Sequence, residues 1–579
     1  MVQRARAALS SVALLPSASA CALPRRVVRL LLRAASRLGR AGLLLAALAL
    51  WGWPLGGFLL QAFVPGLVHG DLHVHLGAWA QAWSGGGAQA LRNTWLAATL
   101  ASALALPAGA WLAWLRERTL LRWRGWIEAG IWLLLVMPGY FVASGWMLLA
   151  APVGPLARWP LALGAAQWLL GPAGIVISLA FKALPYTFLA LQLSLRAASA
   201  GPQEAARVLG LSRRRRLLLA VAALLPALAA GFAAAFAESA SDFAIAATLG
   251  AGSSTIMATY AIEQAVAALP VNFPAAAAAS WMLLALLLPA LGLQSLANRR
   301  SASVRSLGPR HRPPAPVQPT ARAARAHAGG VALLGLLALG VPLLSAAAMA
   351  FSGSGHASHF WSAADQVLPA FAYSLRMAVM AATATTLLAW PAARLVGSRH
   401  ALGRAVDFGL TAAMALPGIV LAAAYVRMYN LGITPWYGGS GLLAMAYVAL
   451  SLPAATRLLQ APVAQLHGSL TEAARVHGLS AAQALRRIDW PLLAPALGAA
   501  WLMAALHVAF ELPASQLLYP AGHAPLAVAL LDAASGLQLR LQAQLQLLGM
   551  GLLLGFAAIA RWSFRRARGA SAQAPGDPR

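Results

Sequence analysis

The sequence predicts an all-α polytopic membrane protein of about 12 transmembrane helices, and two observations carry this prediction. The first is composition, because 60% of the 579 residues are hydrophobic and only 10% are charged. The hydrophobic residues form long blocks, such as Ala41 to Val64 and Ala275 to Leu296. Each block matches the roughly 20 residues that a helix needs to cross a bilayer, where only helices and closed barrels satisfy their own backbone groups.

The second observation is the distribution of the arginines. The net charge is +29, and the arginines collect in every second loop between the apolar blocks. The intervening loops, near 65–90, 151–165, 243–272, 352–371 and 515–540, carry few basic residues. This pattern predicts a bacterial inner-membrane protein with both termini in the cytoplasm. Nucleic-acid binding is not expected, since no basic stretch is interleaved with aromatic residues.

The apolar blocks divide into six and six, which sets the predicted domain organisation. The first six lie near 41–64, 92–115, 126–150, 166–192, 217–240 and 275–297, and the second six near 329–351, 372–395, 405–428, 441–462, 492–514 and 541–563. We therefore expect a basic cytoplasmic tail (1–40), a first six-helix repeat (41–297), an Arg/Pro-rich cytoplasmic linker (298–328), a second repeat (329–565) and a cytoplasmic tail (566–579).

The two halves repeat a short motif. The segment 204–212 reads EAARVLGLS and returns 268 positions later, at 472–480, as EAARVHGLS. Met137-Pro138-Gly139 similarly returns as Leu416-Pro417-Gly418. Because each half has six spans, both copies start from the cytoplasm, and this predicts a parallel repeat about an axis along the membrane normal.

The repeated motif predicts a helical hairpin on the cytoplasmic surface. EAARV favours a helix, and Gly210 or Gly478 tolerates the left-handed conformation that ends one. Ser212 or Ser480 is then suited to cap a second short helix. Two such hairpins suggest two partners.

The motif resembles the signature of the permease subunits of ATP-binding-cassette (ABC) importers. That signature is Glu-Ala-Ala, three residues, Gly, nine residues, then apolar, any, apolar and Pro, and the second copy fits it through Ile488, Trp490 and Pro491. The first copy departs after Gly210, with Ala223 in place of the proline. It is also one residue shorter, since Pro226 follows Ser212 by 14 residues and Pro495 follows Ser480 by 15.

The resemblance implies the type I importer permease fold and a transport subunit rather than an enzyme. It also implies two copies of a cytoplasmic ABC ATPase and a periplasmic or extracellular substrate-binding protein as partners, beside membrane lipid, and no cofactor in this chain. The expected ATPase-coupling residues are Glu204, Ala205, Ala206 and Gly210 in the first hairpin, and Glu472, Ala473, Ala474 and Gly478 in the second.

Two further stretches resemble fused iron(III) permeases. They are 241–250, SDFAIAATLG, and 511–522, ELPASQLLYPAG, at equivalent positions after the fifth and eleventh spans. Iron(III) is therefore the expected substrate, with thiamine, phosphonate and polyamine as alternatives from related permeases.

Glu238, Asp242 and Glu511 are the candidate residues of a translocation pathway. Ionisable side chains near a membrane interior usually face a cavity or a partner, and carboxylates suit transient contact with a hard cation. The alternative is that they cap helix ends or pair with Arg376 or Arg427.

An outer loop carries His69, Asp71, His73 and His75 at alternate positions, which resembles a metal cluster on one face of a strand. The alternative is a solvated loop, because nothing fixes a coordination geometry. Cys21 is the single cysteine, so thiolate sites and internal disulfides are excluded.

Other function classes fit the sequence less well. An ATP-independent secondary transporter usually places coupling carboxylates at mid-membrane, and few such charges occur here. An ATPase in this chain is excluded because the phosphate-binding loop requires Gly-Lys-Ser/Thr. The single lysine, Lys182, follows Phe181 within an apolar span, where we expect it to snorkel or pair structurally.

Overall fold

The structure is a computed structural model. It describes residues 41–572, except 153, 159–162, 254, 306–313, 353–363, 399, 433, 467–471 and 475. The predicted tail 1–40, including Cys21, lies outside the described residues.

Helices account for nearly all the regular structure described. Ten of them are long and apolar enough to cross a membrane: Ala41–Leu60, Gly77–Arg118, Pro172–Ala197, Arg213–Ser241, Phe273–Arg300, Ala321–Ala350, Val367–Val396, Ser440–Ala464, Leu485–Ala509 and Leu539–Ile559. Two bent pairs, Arg124–Val136 with Gly139–Ala150 and Ala401–Ala415 with Gly418–Met428, raise the number to twelve if each pair is one span. The predicted all-α polytopic fold is confirmed, and we number the spans first to twelfth in chain order.

The third and ninth spans are broken at their Pro-Gly pairs, as the sequence suggests. The two arms of the third span meet at 95° and those of the ninth at 104°. Pro138 and Pro417 adopt extended backbone angles, with ψ of 144° and 135°. A proline cannot donate to the preceding turn, and its ring excludes the residue before it from the helical region, so each span breaks here.

Shorter elements join the spans. Short α-helices cover Leu163–Leu169, Gly201–Val208, Ala244–Ser253, Ala258–Ala267, Ala481–Ala484, Pro513–Leu518 and Leu526–Ser535, and 3₁₀ turns cover Leu67–His69 and Pro155–Arg158. The strands Asn430–Leu431 and Thr434–Pro435 form an antiparallel pair.

Several helices contain π turns. Leu48–Gly52 and Leu336–Gly340 lie in the first and seventh spans, each followed after one residue by a proline, Pro54 or Pro342. In both turns a side chain at the glycine would meet the leucine that begins the turn, at 2.9 Å or 2.8 Å. A π turn is a one-residue expansion of the helix. The first spans of the two halves therefore share a local distortion as well as a position.

The first span of each half packs against the broken span of the other half. In the first span, Gly57 lies against Met428, and the carbonyl of Leu50 accepts a hydrogen bond from the Tyr425 hydroxyl at 3.0 Å. In the seventh span, the Ser345 hydroxyl donates to the carbonyl of Gly145 at 2.7 Å. A side chain at Gly145 would lie 2.2 Å from Cα of Pro342, so glycine is needed for this approach.

Small residues also allow the second and fourth spans to approach closely. A side chain at Gly109 would lie 2.1 Å from Oγ1 of Thr187, and that hydroxyl donates to the carbonyl of Ala105 at 3.1 Å. Close contact between small residues is the usual basis of helix association in lipid, where no hydrophobic effect drives it.

Helices extend into the predicted linker from both sides. The sixth-span helix runs Phe273–Arg305, and the seventh begins at Ala321 with Thr320 as its cap. Between them, Val317 bonds with Arg118 and Leu120 in a parallel bridge to the end of the second span. Beyond the predicted second repeat, the last helix continues to Ala572.

Candidate functional sites: two hairpins and a deep polar cluster

The first hairpin is built by a helix that ends at a left-handed glycine. The helix Gly201–Val208 is followed by Gly210 with φ of +67°. The amide of Leu211 donates to the carbonyl of Ala206, and that of Gly210 to the carbonyl of Arg207, both at 3.0 Å. This is the Schellman arrangement, which satisfies the last carbonyls of a helix.

The second hairpin repeats this geometry. Gly478 has φ of +75°, and the amide of Leu479 donates to the carbonyl of Ala474 at 2.9 Å. The predicted role of both glycines in the turn is confirmed. L-residues adopt this conformation at a cost of roughly 1–2 kcal/mol, which explains why glycine occupies both positions.

Both predicted serine caps are present. The Ser212 hydroxyl accepts from the amide of Arg215 at 3.4 Å, and the Ser480 hydroxyl from that of Gln483 at 3.2 Å. Gln483 also accepts from the Ser480 amide at 2.9 Å, completing a capping box. The expected second short helix is wrong for the first copy, because Ser212 begins the continuous fifth span, Arg213–Ser241.

A π turn accounts for the unequal lengths of the two copies. After Ser480 the chain forms Ala481–Ala484 and then the π turn Leu485–Asp489, whereas the first copy continues as an α-helix. The extra residue between Ser480 and Pro495 is absorbed in this wider turn. The second hairpin also has a small apolar core in which Ala474, Ala484 and Ile488 are buried.

The hairpins present similar surfaces. Glu204, Ala205 and Glu472 are exposed, Ala473 is half-buried, and Ala206 and Ala474 are buried. Val208 and Val476, at equivalent positions, are 87% and 86% exposed. Leu209 is 77% exposed, whereas its counterpart His477 is polar. Exposed apolar residues at both tips, surrounded by charge, are typical of a contact surface.

Asp242 and Glu511 cap short helices after the fifth and eleventh spans. The Asp242 carboxylate accepts from the amide of Ile245 at 2.7 Å. The Glu511 carboxylate accepts from the amides of Ala514 and Ser515 at 2.9 and 3.0 Å. This geometry agrees with the capping alternative.

Each of these carboxylates also faces the break of the third or ninth span. A side chain at Gly139 would lie 2.9 Å from Oδ2 of Asp242, and one at Gly418 would lie 3.7 Å from Oε1 of Glu511. The two sites nevertheless differ, because Glu511 is buried at 6% exposure while Asp242 is half-buried.

Lys182 binds the broken end of the third span. Its ammonium donates to the carbonyls of Leu135 at 3.3 Å and Met137 at 3.0 Å. The break leaves these carbonyls without helical partners, and a cation at a helix C-terminus also opposes the negative end of its dipole. The expected structural role of Lys182 agrees with this geometry.

Lys182 belongs to a polar cluster deep in the protein. Asp242 interacts electrostatically with Glu238 and Lys182, and Lys182 with His507. The Tyr186 hydroxyl lies close to the Glu238 carboxylate. The His507 side chain is itself exposed.

His507 is a member of this cluster that our sequence predictions omit. It follows Pro495 by 12 residues, as Glu238 follows Pro226, so the two occupy equivalent positions. The repeat register could have identified it once the extra residue of the second copy was included.

The arginine alternative for the carboxylates is wrong within the described residues. Arg427 donates to Gln61 at 2.8 Å and lies over the Phe273 ring, and Arg376 lies over the Tyr373 ring. The ion pairs found in the described part of the chain do not include Glu238, Asp242 or Glu511.

The outer-loop residues His69, Asp71, His73 and His75 are all exposed, and 71–76 forms no strand. Asp71 accepts from the amide of His73 at 3.0 Å. Across the described ranges, no group of three or more His, Cys, Asp or Glu side chains is placed to hold a metal ion.

Comparison with known proteins adds two findings. Residues 105–303 match the family model described as binding-protein-dependent transport system inner membrane component. The chain is also 30% identical over 163 residues to the probable ABC transporter permease protein y4fN of Sinorhizobium fredii (strain NBRC 101917 / NGR234). That match covers 27% of this chain and 28% of the relative's length. Over these segments the chain is similar to the membrane permease components of binding-protein-dependent transport systems.

Proposed function

We propose that this chain is the fused permease subunit of an ATP-driven importer in the bacterial inner membrane, with both termini in the cytoplasm. The observation that carries the proposal is the pair of matching hairpins. Each ends a helix at a left-handed glycine, Gly210 or Gly478, and each exposes a valine, Val208 or Val476, at its tip.

Two cytoplasmic ABC ATPase subunits would dock on these hairpins, one on each. Glu204, Ala205, Ala206 and Gly210, with Glu472, Ala473, Ala474 and Gly478, form the coupling surfaces. The buried alanines, Ala206 and Ala474, pack each hairpin against the span that follows it. A movement of the docked ATPase subunit is therefore transmitted to that span. Energy comes from these partners, since the single lysine of the chain is occupied at the third-span break.

The two halves act as parallel repeats, 41–297 and 329–565, with 298–328 between them. Shared π turns, shared broken spans and the reciprocal packing of the first spans support this division. A substrate-binding protein on the opposite side of the membrane delivers the substrate to the mouth between the halves.

The pathway runs past Glu238 and Asp242 of the first half and Glu511 of the second. We propose iron(III) as the substrate, because the half-buried carboxylates of Glu238 and Asp242 and the buried carboxylate of Glu511 provide hard oxygen ligands for transient contact with a hard cation. The described part of the structure holds no group of three His, Cys, Asp or Glu side chains placed to hold a metal ion. This arrangement suits passing contact with the cation better than its retention. Thiamine, phosphonate and polyamine are the alternative substrates.

The first test is capture of the ATPase. A tagged chain is solubilised from its native membrane, and the ATPase activity that co-purifies with it is measured. The variant is V208D/V476D, and L72D is the control. Leu72 is 70% exposed in the outer loop. We expect V208D/V476D to lose the ATPase and L72D to keep it. ATP-independent uptake by the chain alone in vesicles would instead identify a secondary transporter.

The second test addresses the substrate. Uptake of iron(III) is measured in cells expressing wild type or D242N/E511Q, because Asn and Gln retain an oxygen that can cap the short helices. Reduced iron(III) uptake at normal expression supports the pathway. Unchanged uptake by the variant rejects these carboxylates, and ATP-dependent uptake of thiamine, phosphonate or polyamine in place of iron(III) rejects the substrate.

A further inference from the structure

A lateral groove lies between the third and seventh spans. Its walls are one face of Arg124–Val136, including Trp126, Gly130 and Leu134, and one face of the seventh span, including Val331 and Gly335. Leu112 and Leu184 line its base. The cavity is about 330 Å³, within the range of about 300–1,000 Å³ of ligand pockets.

Two glycines open this groove. Gly130 and Gly335 are on its opposite walls, and a side chain added at either position would meet nothing within 4 Å. Neither glycine has a positive φ, so their backbone does not require glycine. The space that they leave is lined almost entirely by apolar side chains, with the Trp126 indole as the exception, and this lining fits a hydrocarbon chain.

The end of the groove on the arginine-rich side is electropositive. The bonds between Val317 and the segment 118–120 hold together the starts of both wall helices, which begin at Arg124 and Ala321. Two helix N-termini, each with a partial positive charge, therefore lie side by side at this end.

Three exposed arginines flank the same end: Arg122, Arg322 and Arg325. Among the described residues none of the three has a hydrogen-bond or ion-pair partner. Glu128, the acidic residue of this wall helix, is paired with Arg116 at 2.6 Å and so does not neutralise them. The charge and the apolar space together match an anionic headgroup joined to an acyl chain.

We propose that the lateral groove is a binding site for an anionic phospholipid of the bilayer. The acyl chain lies between Gly130 and Gly335, and the phosphate lies at the helix starts among Arg122, Arg322 and Arg325. This site is independent of the proposed transport pathway and of the coupling hairpins.

The test measures lipid binding to the full chain in detergent by native mass spectrometry, with phosphatidylglycerol and phosphatidylcholine as probes. We expect wild type to bind one phosphatidylglycerol in preference to phosphatidylcholine. R122Q/R322Q/R325Q should weaken phosphatidylglycerol binding at least about tenfold, since each basic residue near a membrane surface contributes on the order of 1 kcal/mol. R213Q/R214Q/R215Q, which removes three exposed arginines from the fifth span, is the charge-matched control and should bind as wild type.

A second variant tests the acyl-chain site. G130L/G335L fills the groove and should abolish phosphatidylglycerol binding while all three mouth arginines remain. Equal binding of both lipids by wild type, or unchanged phosphatidylglycerol binding by the arginine variant, would overturn the proposal. Should the filled variant fail to elute as a monodisperse species, the arginine variant and its control decide the outcome.

Discussion

The ammonium of Lys182 lies 3.0 Å from the carbonyl oxygen of Met137 and donates a hydrogen bond to it. This contact joins the fourth span to the broken end of the third. The equivalent position in the second half is Leu450, in the tenth span, so the break of the ninth span has no lysine partner.

Replacing Lys182 by methionine should destabilise the protein. The variant K182M removes the donor and leaves the carbonyls of Leu135 and Met137 unsatisfied, at a cost of about 1–3 kcal/mol. Thermal unfolding in detergent measures the change. K182R, which keeps a charged donor, is the control and should retain most of the stability, and equal melting of K182M and wild type would exclude this role.

Gly145 should not tolerate a side chain. G145A places a methyl group against the backbone of Pro342, and overpacking of this kind costs typically 1–3 kcal/mol. G130A is the matched control, because Gly130 is also helical but has open space. We expect G130A to be neutral or slightly stabilising in the same unfolding assay. A stable G145A would show that the third and seventh spans pack less tightly than described.

The hairpin glycines should resist substitution more than a neighbouring glycine. G210A and G478A force alanine into a left-handed conformation and should loosen each hairpin, which amide hydrogen exchange of 204–212 and 472–480 detects. Gly201 begins a helix without a positive φ, so G201A is the control. Wild-type protection in both variants would contradict the turn geometry.

His507 should be accessible from solution, because its side chain is exposed. In a background in which Cys21 is replaced by serine, H507C is expected to react with a small water-soluble thiol reagent. A505C, two residues earlier and fully buried, should remain unreactive. Labelling measured by mass spectrometry decides the point, and an unreactive H507C would mean that this position is closed to water.

Much of the fold follows from local chemistry, and the sequence therefore predicts it well. Span positions come from apolar length, the breaks come from Pro138 and Pro417, and the hairpin turns come from Gly210 and Gly478. These features depend on a few neighbouring residues each. The roles of the hairpins and carboxylates depend on partners, and they stay predictions.

Contacts between distant segments could not be predicted in the same way. Nothing near Ser345 indicates that its hydroxyl bonds with Gly145, since both sequences are ordinary apolar helix. His507 could not be predicted either, because its closeness to Lys182 arises only in the folded chain and the extra residue of the second copy shifts it out of the 268-residue register. The lateral groove likewise results from two glycines that come together only in the folded chain.

The equivalence of Glu238 and His507 has a consequence for how such a protein can change. In a dimer of identical subunits, any substitution on the pathway appears twice, facing itself across the axis, and two carboxylates so placed would repel each other. In a single chain with two copies, one wall can acquire an imidazole while the other keeps its acid. In the proposed two-repeat permease, a substitution in one half therefore changes one wall of the proposed pathway and leaves the other wall as it was.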